Sequence, residues 1–178
     1  MKKVLILAGS PRKNGNSAAL CQEFARGARE TGNEVEIIYL RDKKIGYCVA
    51  CYYCKDHDGV CIIKDDMAEI LDKMNATDII VMASPVYFYS IDAQMKALID
   101  RTVAQWLKIR DKTFYYIMTA AEDSDWVMDW NLECLRGLAK CLKGSKESGV
   151  IYGKGVYEAG VIKGKPIMRE AYEMGKTV

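Results

Sequence analysis

A chain of 178 residues, half of them hydrophobic, is long enough to fold one domain around a sizeable core. Its charge is nearly balanced at net +2 with a pI near 8.1, which points away from nucleic acid and other polyanion partners. No segment reaches the roughly 18 consecutive apolar residues of a membrane span, and the run after Met1-Lys2-Lys3 falls short of the roughly 7–15 that a secretion signal needs.

Val4–Ala8 is an apolar run that predicts a strand buried on both faces. It leads directly into Gly9-Ser10-Pro11-Arg12-Lys13-Asn14-Gly15-Asn16-Ser17, and helical spacing follows over Ala18–Thr31, ending near Gly32. Strand, small-residue loop and helix start together make an anion cradle, because free backbone N–H groups and the helix dipole converge on the loop. Ser10, Asn14, Asn16 and Ser17 add polar side chains, and Arg12 adds a fork suited to phosphate. The P-loop pattern is not met: the two glycines are one residue too far apart, and Asn16 stands where a lysine would bind β- and γ-phosphates. The dinucleotide fingerprint G-x-G-x-x-G is also missing, so a single phosphomonoester is the expected ligand. A plain polar turn between strand and helix is the competing reading.

Glu34–Leu40 predicts a second strand, and 41–64 a long loop rich in cysteine, the kind of unstructured stretch that usually serves function. Asp65 and Asp66 open a helix through about Asn75; two acids there suit the positive end of a helix, with a metal site as the lesser alternative. Asp78–Ala83 predicts a third strand, Ser84–Ser90 a loop, Ile91 to about Trp106 a helix, Thr113–Thr119 a strand and Trp126–Leu142 a helix. A last strand is expected around Val150–Gly153 and a closing helix over Lys165–Lys176. Strands alternating with helices predict a parallel sheet covered on both faces, with ligands outside the carboxyl ends of the strands. That would gather the loops after Ala8, Ala83 and Thr119.

Cys48-x2-Cys51-x2-Cys54-x6-Cys61 is the second chemical signal. Three thiolates at two-residue spacing and a fourth nearby can hold one [4Fe–4S] cluster. Zinc on all four, or on three with His57, remains open, as do a redox-active dithiol and a loop without metal. In the cytoplasmic location expected here, these seven cysteines are thiols or ligands rather than disulfides. Cys21, Cys134 and Cys141 fall in helical patterns and read as small buried hydrophobes.

Gly9–Ser17 resembles the FMN-phosphate loop of the flavodoxin-like NAD(P)H-dependent FMN reductases, in the branch that includes the iron–sulfur flavoproteins. Asp65-Asp66-Met67, Ser84–Phe88, Ala93–Arg101 and Glu170–Lys176 carry the same likeness, and so does the cysteine motif at all four positions. The resemblance implies an α/β flavodoxin-like domain over 1–178, with a five-stranded parallel sheet in the order 2-1-3-4-5. It also implies that Pro85, Val86, Tyr87 and Phe88 line the isoalloxazine, with Thr119 and Ala120 from the third loop beside it. The expected activity is transfer of electrons from NAD(P)H through FMN to a flavin, a quinone or another small acceptor. The alternative is an electron carrier working between ferredoxin, a [4Fe–4S] cluster and FMN. A homodimer or homotetramer is implied as well, with a neighbouring chain close to the flavin. The acids Glu122, Asp123, Asp125 and Asp129 depart from the family's pattern: they either crowd the flavin edge or simply begin a helix.

Overall fold

The computed structural model describes residues 1–178. The chain runs β1 (Lys3–Ala8), α1 (Asn16–Glu30), β2 (Glu34–Tyr39), α2 (Tyr53–Asp56), α3 (Met67–Ala76), β3 (Ile79–Tyr87) and β4 (Ser90–Ile91). It continues with α4 (Ala93–Arg101), β5 (Thr113–Thr119), α5 (Asp125–Cys141), β6 (Lys146–Gly153) and α6 (Pro166–Lys176). Five strands form a parallel sheet in the order β2-β1-β3-β5-β6. With the two-residue β4 set aside, this is the flavodoxin-like order expected from the resemblance.

The strands are apolar throughout because both faces are covered, and alternation decides which side each residue serves. Val4, Ile6 and Ala8 join Val81 and Ile117 under α1, which contributes Phe24, and α6, which contributes Ala171. Leu5, Leu7, Ile80, Met82 and Tyr116 pack on the other face with Met74, Leu98 and Leu135 from α3, α4 and α5. On the first face α1 and α6 approach closely enough that a Cβ on Gly27 would lie 2.0 Å from the Tyr172 carbonyl oxygen, and one on Gly175 2.1 Å from that of Phe24.

β6 begins at Lys146, four residues before the expected start, and the short α2 lies within the 41–64 loop; β3 and α4 also differ from their predicted form, each for a local reason. β3 continues past Ala83 to Tyr87, because Ser84 and Pro85 stay in register with Met118 and Thr119 before the chain turns back as the β3–β4 hairpin. Phe88 and Tyr89 at the turn both take positive φ, 49° and 59°, as a type I′ turn requires of its central pair. α4 is shorter than its apolar pattern. Asp92 caps its start by accepting from the Met95 N–H at 3.0 Å, and the chain tightens into a 3-10 turn at Thr102–Ala104.

Candidate functional site

The loop after β1 meets the carboxyl-terminal ends of β3 and β5, with the loop that follows β5, around a cavity of about 110 Å³. Ser10, Arg12, Ser17, Pro85, Val86, Tyr87, Thr119 and Ala120 line it. The start of α1 points there with no side-chain cap on Gly15 and no acid in its first turn, so its positive end is left for an anion. Ser10 and Ser17 are buried in the wall, and the Ser10 hydroxyl accepts the Arg12 N–H at 3.2 Å.

Asn16 lines the cavity, but its side chain is engaged elsewhere. Its Nδ2 donates to the carbonyls of Val156 and Glu158, at 3.1 and 2.9 Å, and its Oδ1 accepts from Gly160 and Ile162 N–H, at 3.0 and 3.3 Å. All four bonds go to the loop after β6, so this amide fixes a wall of the site and only the backbone N–H is left for a ligand. Asn14 and Phe88 are exposed and lie outside the lining. Val156 and Tyr157 also belong to the lining, and neither falls in a recognisable sequence motif. Arg12 donates to the Tyr157 carbonyl at 2.7 Å and lies 5.9 Å from the centre of its ring. The only local hint was a glycine-rich stretch, Gly153 to Gly160, following the last strand.

Asp92 underlies two of the three loops. It is fully buried, with Oδ2 2.7 Å from the Ser84 hydroxyl, and a Cβ on Gly9 would lie 2.2 Å from that oxygen. Burial raises its carboxyl above the ordinary range, against the hydrogen bonds from Ser84 and Met95. The protonated form can donate to Ser84 Oγ, whose own hydroxyl then donates to the Pro85 carbonyl at 2.8 Å.

The acids of the third loop sit at the start of α5. Asp125 pairs with Lys154 at 2.7 Å, and none of the four lines the cavity. Trp126 stacks on Tyr89 at 5.2 Å and meets Trp130 edge-on at 5.4 Å, so an exposed aromatic group joins the β3–β4 hairpin to α5.

A second, larger cavity of about 710 Å³ shares no lining residue with the first. Cys48, Cys51, Cys54 and Cys61 all line it, with Arg101 from α4. Cys134 and Cys141 line it too, and both are exposed rather than buried in the core as their spacing suggested; the apolar stripe of α5 ends at this cavity. Cys21 does match its expectation, buried with its thiol pushed up to about 12 by desolvation. His57 is not in the lining: its Nδ1 lies 2.8 Å from the Tyr53 carbonyl and its ring stacks on Tyr53, which takes it away from the thiols. The thiols share a cavity without being drawn together into a ligand set. Between them the backbone is strained, with Ala50, Tyr52 and Asp58 at φ of 52°, 59° and 50°. Asp65 and Asp66 serve this segment: Asp65 accepts from Gly46 N–H at 2.8 Å, and Asp66 from Lys44 N–H at 2.6 Å.

Compared with known sequences, residues 2–126 match the profile of a family described as NADPH-dependent FMN reductase. The chain belongs to this family. An iron–sulfur flavoprotein of Methanocaldococcus jannaschii is 45% identical over 100 residues, 56% of this chain and 51% of that protein. This member of the FMN reductase family thus spans about half the length of the curated relatives it matches. Among solved structures, an azoreductase from Bacillus anthracis superposes with a TM-score of 0.78 at 15% identity over 100% of both chains. An FMN-dependent NADH-azoreductase of the same species, in complex with FMN, gives 0.71 at 17% identity over 99% of this chain and 97% of its own. At those identities the likeness carries the fold.

Proposed function

We propose that this member of the FMN reductase family binds FMN in the cradle at the start of α1 and oxidises NAD(P)H, passing electrons to a flavin, a quinone or another small acceptor. The observation that carries the reading is the acid-free, uncapped start of α1, opening on a cavity walled by Ser10, Arg12 and Ser17. FMN, when bound, supplies the hydride and electron chemistry. The residues hold it: backbone N–H groups of α1 with Ser10, Ser17 and Arg12 take the phosphate, and Pro85, Val86 and Tyr87 stand along the ring. Asp92 keeps the loops before and behind them in fixed relation. The enclosed volume of about 110 Å³ is well under the roughly 300–1,000 Å³ of a whole small-molecule site, which suits a phosphate end held inside and a ring lying against the surface. A second copy of the chain, seated on Tyr89, Trp126 and Trp130, would cover that ring in a homodimer or homotetramer.

The Ser10→Ala/Arg12→Ala double variant is expected to weaken FMN binding roughly a hundredfold, about 3 kcal/mol for two hydrogen bonds to a charged phosphate. Fluorescence titration of the FMN-free protein reads this directly, and unchanged affinity would remove the phosphate assignment.

A second reading is favoured by the four loop cysteines on one cavity and by the iron–sulfur flavoproteins among the relatives. Here the chain carries electrons between ferredoxin, a [4Fe–4S] cluster on Cys48, Cys51, Cys54 and Cys61, and FMN. Four thiols lining one space, with a buried cation beside them, suit a centre that carries net negative charge. An anaerobic visible spectrum, with iron and acid-labile sulfide assayed on the same protein, separates the two. About four irons per chain supports the carrier, as one four-thiolate cluster requires; flavin bands without iron support the reductase alone. We place the chain in the cytoplasm, a reducing compartment that suits a loop of four closely spaced thiols.

A further inference from the structure

Arg101, the last residue of α4, is among the most deeply buried side chains of the protein, at 2% exposure. Its Nη1 donates to the Gly46 carbonyl at 2.8 Å and to Asp65 Oδ2 at 2.7 Å. Its Nη2 donates to Asp65 Oδ1 at 3.0 Å and to the Ile63 carbonyl at 3.5 Å. Gly46 precedes Cys48 and Ile63 follows Cys61, so one guanidinium ties the two ends of the segment that carries all four thiols. Asp65 reinforces the closure by accepting from the N–H groups of Gly46 and Met67, at 2.8 and 3.1 Å. Burial alone would raise the Asp65 carboxyl, but Arg101 and the two N–H groups outweigh it and hold it below the ordinary range.

Closing a loop does not account for the whole side chain. Arg101 and Cys61 line the same cavity, near enough that a charge on the Cys61 sulfur would favour the guanidinium cation. Its Nε is buried with no hydrogen-bond partner. A buried donor without an acceptor is destabilising, and more so when it is charged. That cost is removed if a sulfur carrying negative charge occupies the cavity.

We propose that Arg101 is the positioning residue of the cysteine loop, holding its ends on Gly46, Ile63 and Asp65 and offering its Nε–H and its charge to the sulfur of Cys61 once that sulfur is a cluster ligand. The inference rests on the iron–sulfur reading above. Hydrogen bonds and nearby charge are the protein's means of tuning such a centre, so Arg101 sets its potential as well as its seat.

The test compares the wild-type chain with Arg101→Lys and Arg101→Gln, each reconstituted anaerobically with iron and sulfide. Bound FMN reports the fold, iron and sulfide per chain report loading, and an EPR-monitored titration gives the midpoint potential. R101Q is expected to keep FMN and lose at least four-fifths of its iron. R101K, which retains the charge without the fork, is expected to load in part, with a more reducing midpoint than wild type. Wild-type loading and potential in both variants would overturn the proposal, and so would loss of FMN together with iron, since Arg101 would then be a general determinant of the fold. A wild-type chain that takes up FMN but no iron would overturn the iron–sulfur reading itself, an outcome distinct from either.

Discussion

Gly9→Ala is expected to weaken FMN binding roughly ten- to a hundredfold while leaving most of the fold in place. The added Cβ would lie 2.2 Å from Asp92 Oδ2 and 2.8 Å from both Cγ and Oδ1. Asp92 has little room to move away, since it is fully buried, caps α4 through the Met95 N–H and is bonded to the Ser84 hydroxyl. Gly9 is itself fixed, its N–H donating to the Ala83 carbonyl at 2.8 Å. The strain therefore spreads into the 9–17 loop and the segment from Ser84 to Asp92, the two that would hold phosphate and ring. Overpacking of this kind costs about 1–3 kcal/mol. If it falls on the bound geometry, the Kd for FMN rises by roughly ten- to a hundredfold. Fluorescence titration with FMN checks this, and wild-type affinity would show that the two loops do not depend on Asp92.

The second large effect lies far from the site. Alanine favours a helix over glycine by about 1 kcal/mol, so a helical Gly→Ala change ordinarily stabilises. Gly27→Ala should do the reverse, because its Cβ would stand 2.0 Å from the Tyr172 carbonyl oxygen and 3.1 Å from the Lys176 nitrogen. Both are backbone atoms, so no side-chain rotation relieves the clash, and α6 has to shift off α1. We expect a loss of about 3 kcal/mol, which lowers Tm by roughly 6–12 °C in a domain of this size. Gly137→Ala in α5 is the control, since nothing lies within 4 Å of its Cβ and it should gain about 0.5–1 kcal/mol. Calorimetry on flavin-free protein keeps ligand binding out of the comparison. A Tm for G27A at or above wild type would show that the helices separate without cost.

The parts of this molecule that were legible in the sequence are those set by short-range pattern. β1, β3 and β5 are apolar runs bounded by loop residues, and their alternation with helices defines the sheet. The cradle was legible for the same reason, since a strand, a small-residue loop and a helix start lie within fifteen residues. The hairpin turn at Phe88-Tyr89 was not, because two aromatic residues at positive φ carry none of the Asn-Gly signal of such turns. Asn16 looked like a ligand because its partners, Val156 to Ile162, are far away in sequence. Cys134 and Cys141 show a further limit: a helical stripe facing a cavity beneath a loop has the same spacing as one facing a core. Arg101 closes a helix as any surface cation might, and only the fold takes it out of water.

The four bonds of Asn16 also bear on what counts as the smallest working piece of this protein. The family profile ends at residue 126, yet the wall that Asn16 secures, and Tyr157 which holds Arg12, come from beyond it. The helix that shields α1 lies beyond it as well. A fragment cut to the recognisable stretch would retain the signature and lose one side of the pocket. The segment after β6 is therefore part of the pocket's construction: it meets Asn16 through two carbonyls and two N–H groups, meets Arg12 through the Tyr157 carbonyl, and sends Val156 and Ile162 into the core.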